Sequence, residues 1–252
     1  MYRLREASPE QLQNVDADVL DAAFAEDITI FQSMDLRRLS EILLQVNAGL
    51  TPEQFVTQAH TFLARTLHAR FNLPLGKLSY RPMLELLAYL QAKEFRPFIV
   101  TGGSVEFVRA ASEKLYGVPG ERVAGATVDY TFERLNGKIM VIRTRTLLGE
   151  PGEGEAKVRA IPQRIGRRPI LAAGNSFGDW EMLDYTHSGQ HDSLCLLIDH
   201  DDSQREYAYA DSELREAPDS EAWVQVSMRR DFRRVFAKPV NRRPSTSLVT
   251  SH

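Results

Sequence analysis

The chain has 252 residues, of which 43% are hydrophobic and 26% are charged, an ordinary balance for a globular protein with one sizeable core and a smaller attached unit. Acidic and basic residues nearly cancel, 34 against 31, and the formal charge of -3 argues against a nucleic-acid binder. No apolar run approaches the length of a membrane span, and the single cysteine, Cys195, excludes an internal disulfide. Because Cys195 lies in an apolar run, we expect a buried and inert thiol. The sequence leaves the oligomeric state open, and the chain as written is expected in the cytoplasm unless a targeting peptide precedes it.

The N-terminal part of the chain is helical in pattern from about residue 8 to 71. Residues 8–11 (SPEQ) and 51–54 (TPEQ) are both capping boxes with a proline at the first helical position. Between them, apolar residues recur at helical spacing, at Leu36, Leu39, Ile42, Leu43 and Val46. No strand pattern interrupts this stretch. We therefore predict a helical unit over residues 1–78.

Residues 79–237 alternate between short apolar runs and helical patterns. Strands are predicted at 98–100, 170–173 and 194–198, a β-hairpin at 123–142 with a turn at Asn136 and Gly137, and helices from about 82, at 104–116, at 154–165 and through Met182. Continuous apolar strands separated by helices predict an α/β fold with a Rossmann-like, mostly parallel sheet and helices on both faces. Residues 238–252 lack periodicity and are predicted to be a disordered tail.

A first polar motif follows the predicted strand at 98–100. Thr101, Gly102 and Gly103 stand at its carboxyl end, directly before the next helix. The glycines let backbone N–H groups approach an anion, and the helix start adds positive partial charge. The motif favours a phosphate cradle, although taken alone it fits a plain strand-to-helix turn equally well.

A second motif, GNSFGD at 174–179, follows the predicted strand at 170–173. Asn175 and Asp179 are oxygen donors four residues apart, which suits a hard cation such as Mg²⁺. An N-cap is the alternative role for Asp179. Lys157, early in the preceding helix, suits a point charge among carboxylate and phosphate oxygens, although an isolated lysine is more often solvated.

The order of these motifs resembles the second, third and fourth motifs of the haloacid dehalogenase-like (HAD) hydrolase superfamily, over about residues 81–197. The resemblance implies catalytic roles for Thr101 and Lys157 and a phosphate site at Thr101, Gly102, Gly103 and Lys157. It implies a Mg²⁺ site at Asp179 and Asn175, where Asn175 replaces an acidic residue of many members but keeps an oxygen ligand. The implied activity is that of a Mg²⁺-dependent phosphomonoesterase acting on a small phosphorylated metabolite. Residues 1–78 resemble the helical cap of the phosphoserine-phosphatase-like branch.

The family's first motif, an Asp-x-Asp pair after a buried strand, is missing from the expected position. Asp16 and Asp18 have the right spacing, but a polar and helical pattern precedes them, so we interpret them as exposed helix carboxylates. In the family the missing strand lies in the middle of the sheet. We therefore expect a longer natural chain that begins upstream of Met1, and we expect the chain as written to be inactive.

Two other functions compete with this interpretation. A nicotinamide-dependent reductase is disfavoured, because the third glycine of a dinucleotide loop is absent after Gly103 and no Tyr-x-x-x-Lys pair occurs. A non-catalytic module that binds a phosphorylated metabolite needs only Thr101, Lys157 and Asp179, and it stays the alternative. Both remaining interpretations share one ligand, a small phosphate ester.

Overall fold

The computed structural model describes residues 1–27, 29–149, 152–209 and 222–237. The tail predicted at 238–252 lies outside these residues. Within them, no helix is long and apolar enough to cross a membrane.

The N-terminal part is helical, as predicted. Its helices are α1 (Tyr2–Glu6), α2 (Pro9–Leu12), α3 (Ala17–Ala25), α4 (Thr29–Ser33), α5 (Leu36–Val46) and α6 (Pro52–Arg65). Both predicted capping boxes form. In the second, Thr51 Oγ1 accepts from the Gln54 backbone N–H at 3.3 Å, and the Gln54 side chain accepts from the Thr51 N–H at 2.8 Å. The first helices enclose a small core of their own, made of Leu4, Val15, Val19, Ala23, Ile42 and Val46. The boundary predicted at residue 78 stays a prediction.

The remaining described residues form alternating helices and strands, which confirms the α/β fold class. The helices are α7 (Arg81–Ala92), α8 (Val105–Tyr116), α9 (Glu155–Arg164), α10 (Trp180–His187) and α11 (Met228–Asp231). The strands are β1 (Ile99–Val100), β2 (Val123–Ala124), β3 (Thr127–Leu135), β4 (Lys138–Leu148), β5 (Leu171–Gly174), β6 (Leu194–Asp199) and β7 (Val224–Ser227). Helix α8 ends at Tyr116, as predicted, and Gly117 follows it with a φ of 67°, a left-handed cap.

The strands form two parallel sheets and one antiparallel hairpin. Strand β1 pairs with β2, and β6 lies between β5 and β7. Two sequence predictions need correction here. Residues 123–124 do not begin the hairpin, because they pair in parallel with β1. Strand β7, with the polar Gln225 inside a short run, was not predicted at all.

The hairpin itself is β3 paired with β4, and it extends to Leu148, six residues beyond the predicted end. Its turn is the predicted one, since Asn136 and Gly137 have φ values of 49° and 77°. Two consecutive residues at positive φ make a type I′ turn, which matches the twist of the flanking strands.

The two parallel sheets are not joined into one. Among the described residues β1 pairs only with β2, and β5 pairs only with β6, so each of these strands keeps one edge without a strand partner. The sheet that was predicted as one is therefore divided into two, with β1 in one sheet and β5 in the other. A core cluster on one side of β5 and β6 contains Ala172, Leu183, Cys195, Leu197 and Trp223. Cys195 is buried there, which confirms the prediction of a buried thiol.

Candidate functional site

The turn after β1 presents hydrogen-bond donors at a helix N-terminus. The Thr101 N–H donates to the Ala124 carbonyl at 3.0 Å, which extends the pairing of β1 with β2 by one residue. Thr101 Oγ1 accepts from the Gly103 N–H at 3.0 Å, so the hydroxyl hydrogen remains available to a ligand. Ser104 caps α8 by accepting from the Phe107 N–H at 3.2 Å. Thr101, Gly102 and Gly103, called the cradle below, thus form a strand-to-helix turn, and its role as a phosphate site stays a prediction.

Lys157 and Asp179 form a buried ion pair at the carboxyl end of β5. Lys157 Nζ donates to Asp179 Oδ1 at 2.6 Å, and the two residues are 8% and 7% exposed. Lys157 is therefore not solvated, unlike most isolated lysines early in a helix. Burial removes the water that would screen the pair, so the ammonium stays fixed beside this carboxylate.

The other oxygen of Asp179 is held by its own turn. Asp179 Oδ2 accepts from the backbone N–H groups of Asn175 at 2.9 Å and Ser176 at 3.2 Å. Gly174 makes this possible, because a Cβ atom at Gly174 would overlap the Asp179 side chain. Asp179 also precedes α10, but its side chain makes no capping hydrogen bond to that helix, so the N-cap role given as the alternative is wrong for this carboxylate.

The predicted metal donors do not fit a magnesium site by themselves. Both Asp179 oxygens are engaged, one by a lysine ammonium that repels a cation and one by backbone N–H groups. Asn175 adds an amide whose Nδ2 donates to Tyr209 Oη at 3.4 Å. No group of three or more His, Cys, Asp or Glu side chains in the described part of the chain could hold a metal ion. A hard cation needs several oxygen ligands, with carboxylates among them.

A turn at residues 152–154 contacts both halves of the site, which are the turn after β1 and the turn after β5. The Gly154 N–H donates to the Gly178 carbonyl at 2.9 Å, on the side of β5. On the side of β1, a Cβ atom at Gly102 would lie 2.8 Å from the Gly152 carbonyl oxygen. The side chain of Glu153 packs against Gly178, where a Cβ atom would overlap it. The 152–154 turn thus lies against the turn after β1 and against the turn after β5.

Sequence reasoning missed two residues at this place. Glu153 is an exposed carboxylate that lies between Gly102 and Gly178 in space. Its neighbours in the chain, Gly152 and Gly154, were the available sign of a tight turn. Tyr209 reaches Asn175 from a loop after β6, and no spacing rule points to it. By contrast, Asp16 and Asp18 lie at the start of α3, outside any strand, as predicted. Asp16 pairs with Arg38, and the Asp18 carboxylate accepts from the Val19 N–H.

Comparison with known proteins supports the fold. No family model and no curated protein matches the chain. A solved protein of unknown function from Bordetella pertussis Tohama I has a TM-score of 0.51 at 15% identity, over 89% of this chain and 90% of that one.

Two further solved structures score lower. A HAD family hydrolase from Salmonella enterica serovar Typhi has a TM-score of 0.42 at 14% identity, over 86% of this chain and 61% of that one. A phosphoserine phosphohydrolase-like protein from Francisella tularensis has 0.40 at 16% identity, over 74% and 76%. Scores at this level carry no argument about function.

Proposed function

We propose that this protein is a HAD-like protein that binds the phosphate group of a small phosphate ester between the carboxyl ends of β1 and β5. One observation carries the proposal, namely the buried Lys157 ammonium at the end of β5. A lysine this deeply buried is uncommon, and Asp179 is the one acceptor recorded for it among the described residues. An ammonium group has three donors, so it retains two for an oxyanion.

The cradle complements Lys157 chemically. The Thr101 hydroxyl and the backbone N–H groups of the Gly102–Gly103 turn offer short-range donors, and α8 adds the positive end of its dipole. A phosphate dianion needs several donors and compensating positive charge. In this proposal Thr101, Gly102 and Gly103 orient the phosphoryl oxygens and Lys157 offsets their charge.

Hydrolysis needs one more group, a nucleophile in line with the phosphorus atom. Among the described residues Glu153 is a carboxylate that lies beside the cradle, and Asp16 and Asp18 belong to α3. We therefore propose that the chain as written binds a phosphate ester without turning it over. The edges of β1 and β5 that no described strand pairs with favour the phosphomonoesterase as the second candidate, because a parallel strand paired with both would bring its carboxyl end to the cradle. Magnesium would be that enzyme's expected cofactor, although Asn175 and Asp179 alone do not provide its ligands.

The test is a calorimetric titration with inorganic phosphate. Thr101→Val keeps the shape of the side chain and removes its hydroxyl, and we expect it to weaken phosphate binding about 3- to 10-fold. The control is Thr61→Val in α6, whose hydroxyl donates to the Thr57 carbonyl one turn earlier and should not affect binding. Equal affinities for all three proteins, or no binding by the unmodified protein, would refute the proposal.

A second assay separates the two candidates. Release of nitrophenol from p-nitrophenyl phosphate, with and without Mg²⁺, reports turnover directly. We expect none above that of the Thr101→Val variant. Turnover that this variant loses would show that the chain contains its own nucleophile and would favour the phosphomonoesterase.

A further inference from the structure

The loop at residues 200–209, directly after β6, reaches back to the candidate site. Its last residue, Tyr209, accepts a hydrogen bond from Asn175 Nδ2 at 3.4 Å. The Tyr209 N–H donates to the His200 carbonyl at 3.0 Å, which closes the loop on itself. The loop therefore places a tyrosine hydroxyl beside a residue of the site.

A buried hydrogen-bonded pair, His200 and Glu206, supports the Tyr209 ring. His200 Nδ1 lies 3.2 Å from Glu206 Oε2, and the two residues are 4% and 6% exposed. The imidazole ring stacks on the Tyr209 ring, with centroids 4.4 Å apart and planes 22° apart. Tyr80 meets the same imidazole edge-on at 5.5 Å. The orientation of the Tyr209 ring is thus set by the stack.

Two arginines fix the loop to the rest of the protein. Arg70 Nη1 donates to the Glu206 carbonyl at 2.7 Å. Arg205 donates to the carbonyl oxygens of Met228 and Phe232, each at 2.7 Å, and its guanidinium also pairs with the buried Asp202. A loop that only connects two elements seldom buries this many charged groups, because each must be desolvated and paired.

The Tyr209 hydroxyl can still donate one hydrogen bond. A tyrosine phenol is neutral at physiological pH, so Tyr209 carries its hydroxyl hydrogen there. Its oxygen already accepts from Asn175, which leaves the hydroxyl hydrogen to donate. The ring is 49% exposed, so a ligand can reach it.

The position of Tyr209 indicates which part of a ligand it would meet. Asn175 directly follows β5, and Tyr209 Oη lies 3.4 Å from Asn175 Nδ2. Lys157 reaches the same turn through its bond to Asp179. A hydroxyl beside this turn is placed to meet the alcohol part of an ester whose phosphate group Lys157 holds.

Resting on the proposed phosphate site, we propose that Tyr209 is a specificity-determining residue whose hydroxyl donates to an oxygen atom in the alcohol part of the bound phosphate ester. His200 and Glu206 are positioning residues, since they act through the Tyr209 ring. The ligand class is thereby narrowed to phosphate esters whose alcohol part carries an oxygen acceptor.

The experiment compares three ligands by calorimetry: inorganic phosphate, ethyl phosphate and glycerol 2-phosphate. Tyr209→Phe keeps the stack on His200 and removes the hydroxyl. We expect it to weaken glycerol 2-phosphate binding about 3- to 10-fold and to leave the other two affinities unchanged. The matched control is Tyr207→Phe, which removes a hydroxyl from the same loop at a ring that faces His68 and Arg70, and should change none of the three.

The outcomes separate this inference from the proposed function. If the unmodified protein binds none of the three ligands, both are wrong. If it binds inorganic phosphate, and Tyr209→Phe weakens all three ligands equally or none of them, only the role of Tyr209 is wrong. For the positioning role, Glu206→Gln should lower the ratio of glycerol 2-phosphate affinity to ethyl phosphate affinity. A general loss of stability would lower both affinities together and leave that ratio unchanged, which would refute positioning.

Discussion

The turns after β1 and β5 have similar sequences, with glycine and small polar residues after a short apolar strand, yet they use their polar groups differently. After β1, the Thr101 side chain accepts one backbone hydrogen bond and keeps its hydroxyl hydrogen for a ligand. After β5, both oxygens of Asp179 are taken, one by Lys157 and one by backbone N–H groups. The first turn can therefore donate a hydrogen bond to a ligand, while the second mainly fixes the position of the Lys157 ammonium.

The glycines show the same difference. Gly102 leaves room for the backbone of another segment, the 152–154 turn. Gly174 leaves room for a side chain of its own turn, Asp179. A glycine-rich turn is thus not by itself a ligand site, and what approaches the glycine decides its role.

The largest effect is expected from removing the charge that the second turn holds. Lys157→Met keeps most of the side-chain length and leaves Asp179 buried without its cationic partner. The free energy of unfolding should fall by about 3–5 kcal/mol, as is usual when one member of a buried pair is removed. Urea unfolding measures this change.

A lysine-to-methionine change at this depth needs a matched comparison. Arg159→Met on the same helix removes an exposed charge that pairs with Glu155, and should cost less than about 1 kcal/mol. Similar losses for the two variants would mean that the buried pair contributes no more than a surface pair, and the contrast between the two turns would not hold.

A smaller effect should separate two adjacent glycines of the first turn. In Gly102→Ala the new Cβ would lie 2.8 Å from the Gly152 carbonyl oxygen and 3.1 Å from its carbon, so backbone must move. We expect a loss of about 1–3 kcal/mol in the free energy of unfolding and weaker phosphate binding. In Gly103→Ala the nearest atom is Thr101 Oγ1 at 3.7 Å, an ordinary contact.

Thermal and urea unfolding of both alanine variants check the difference. If Gly102→Ala is as stable as Gly103→Ala, the 152–154 turn does not lie against the cradle in solution, and the two halves of the site are not joined there.

The sequence predicted the elements of the site better than their connections. Each strand-to-helix turn depends on residues close together in the chain, so the caps, the Asn136–Gly137 turn and the end of α8 before Gly117 could all be predicted. The resemblance placed Lys157 and Asp179 in one site, but their direct pairing was not predicted, because the two residues are 22 positions apart.

Non-local pairing explains what the sequence did not predict. Strand β2 has two residues, and only its parallel partner β1 distinguishes it from the start of the hairpin. Tyr209 reaches Asn175 because buried groups of the 200–209 loop hold it there, and none of those contacts follows from a repeat in the sequence. Local rules describe local hydrogen bonds, whereas the pairing of distant segments depends on the packing of the whole fold.

The smallest expected effect concerns a buried strand residue rather than a turn, namely Cys195 in β6. Burial, and then the charge of Asp184, raise the pKa of the Cys195 thiol from 9.0 to about 11. The unfolded chain therefore loses this proton first as the pH rises. The stability contributed by the neutral thiol is complete below about pH 9 and is lost towards pH 11.

The difference in unfolding free energy between the unmodified protein and Cys195→Ala should be constant near neutral pH and should shrink, by on the order of 1 kcal/mol, over that window. Tyrosines that titrate at higher pH are common to both proteins and cancel in the difference. A difference that stays constant to pH 11 would mean that the thiol is solvated and that the core behind β5 and β6 is open to water.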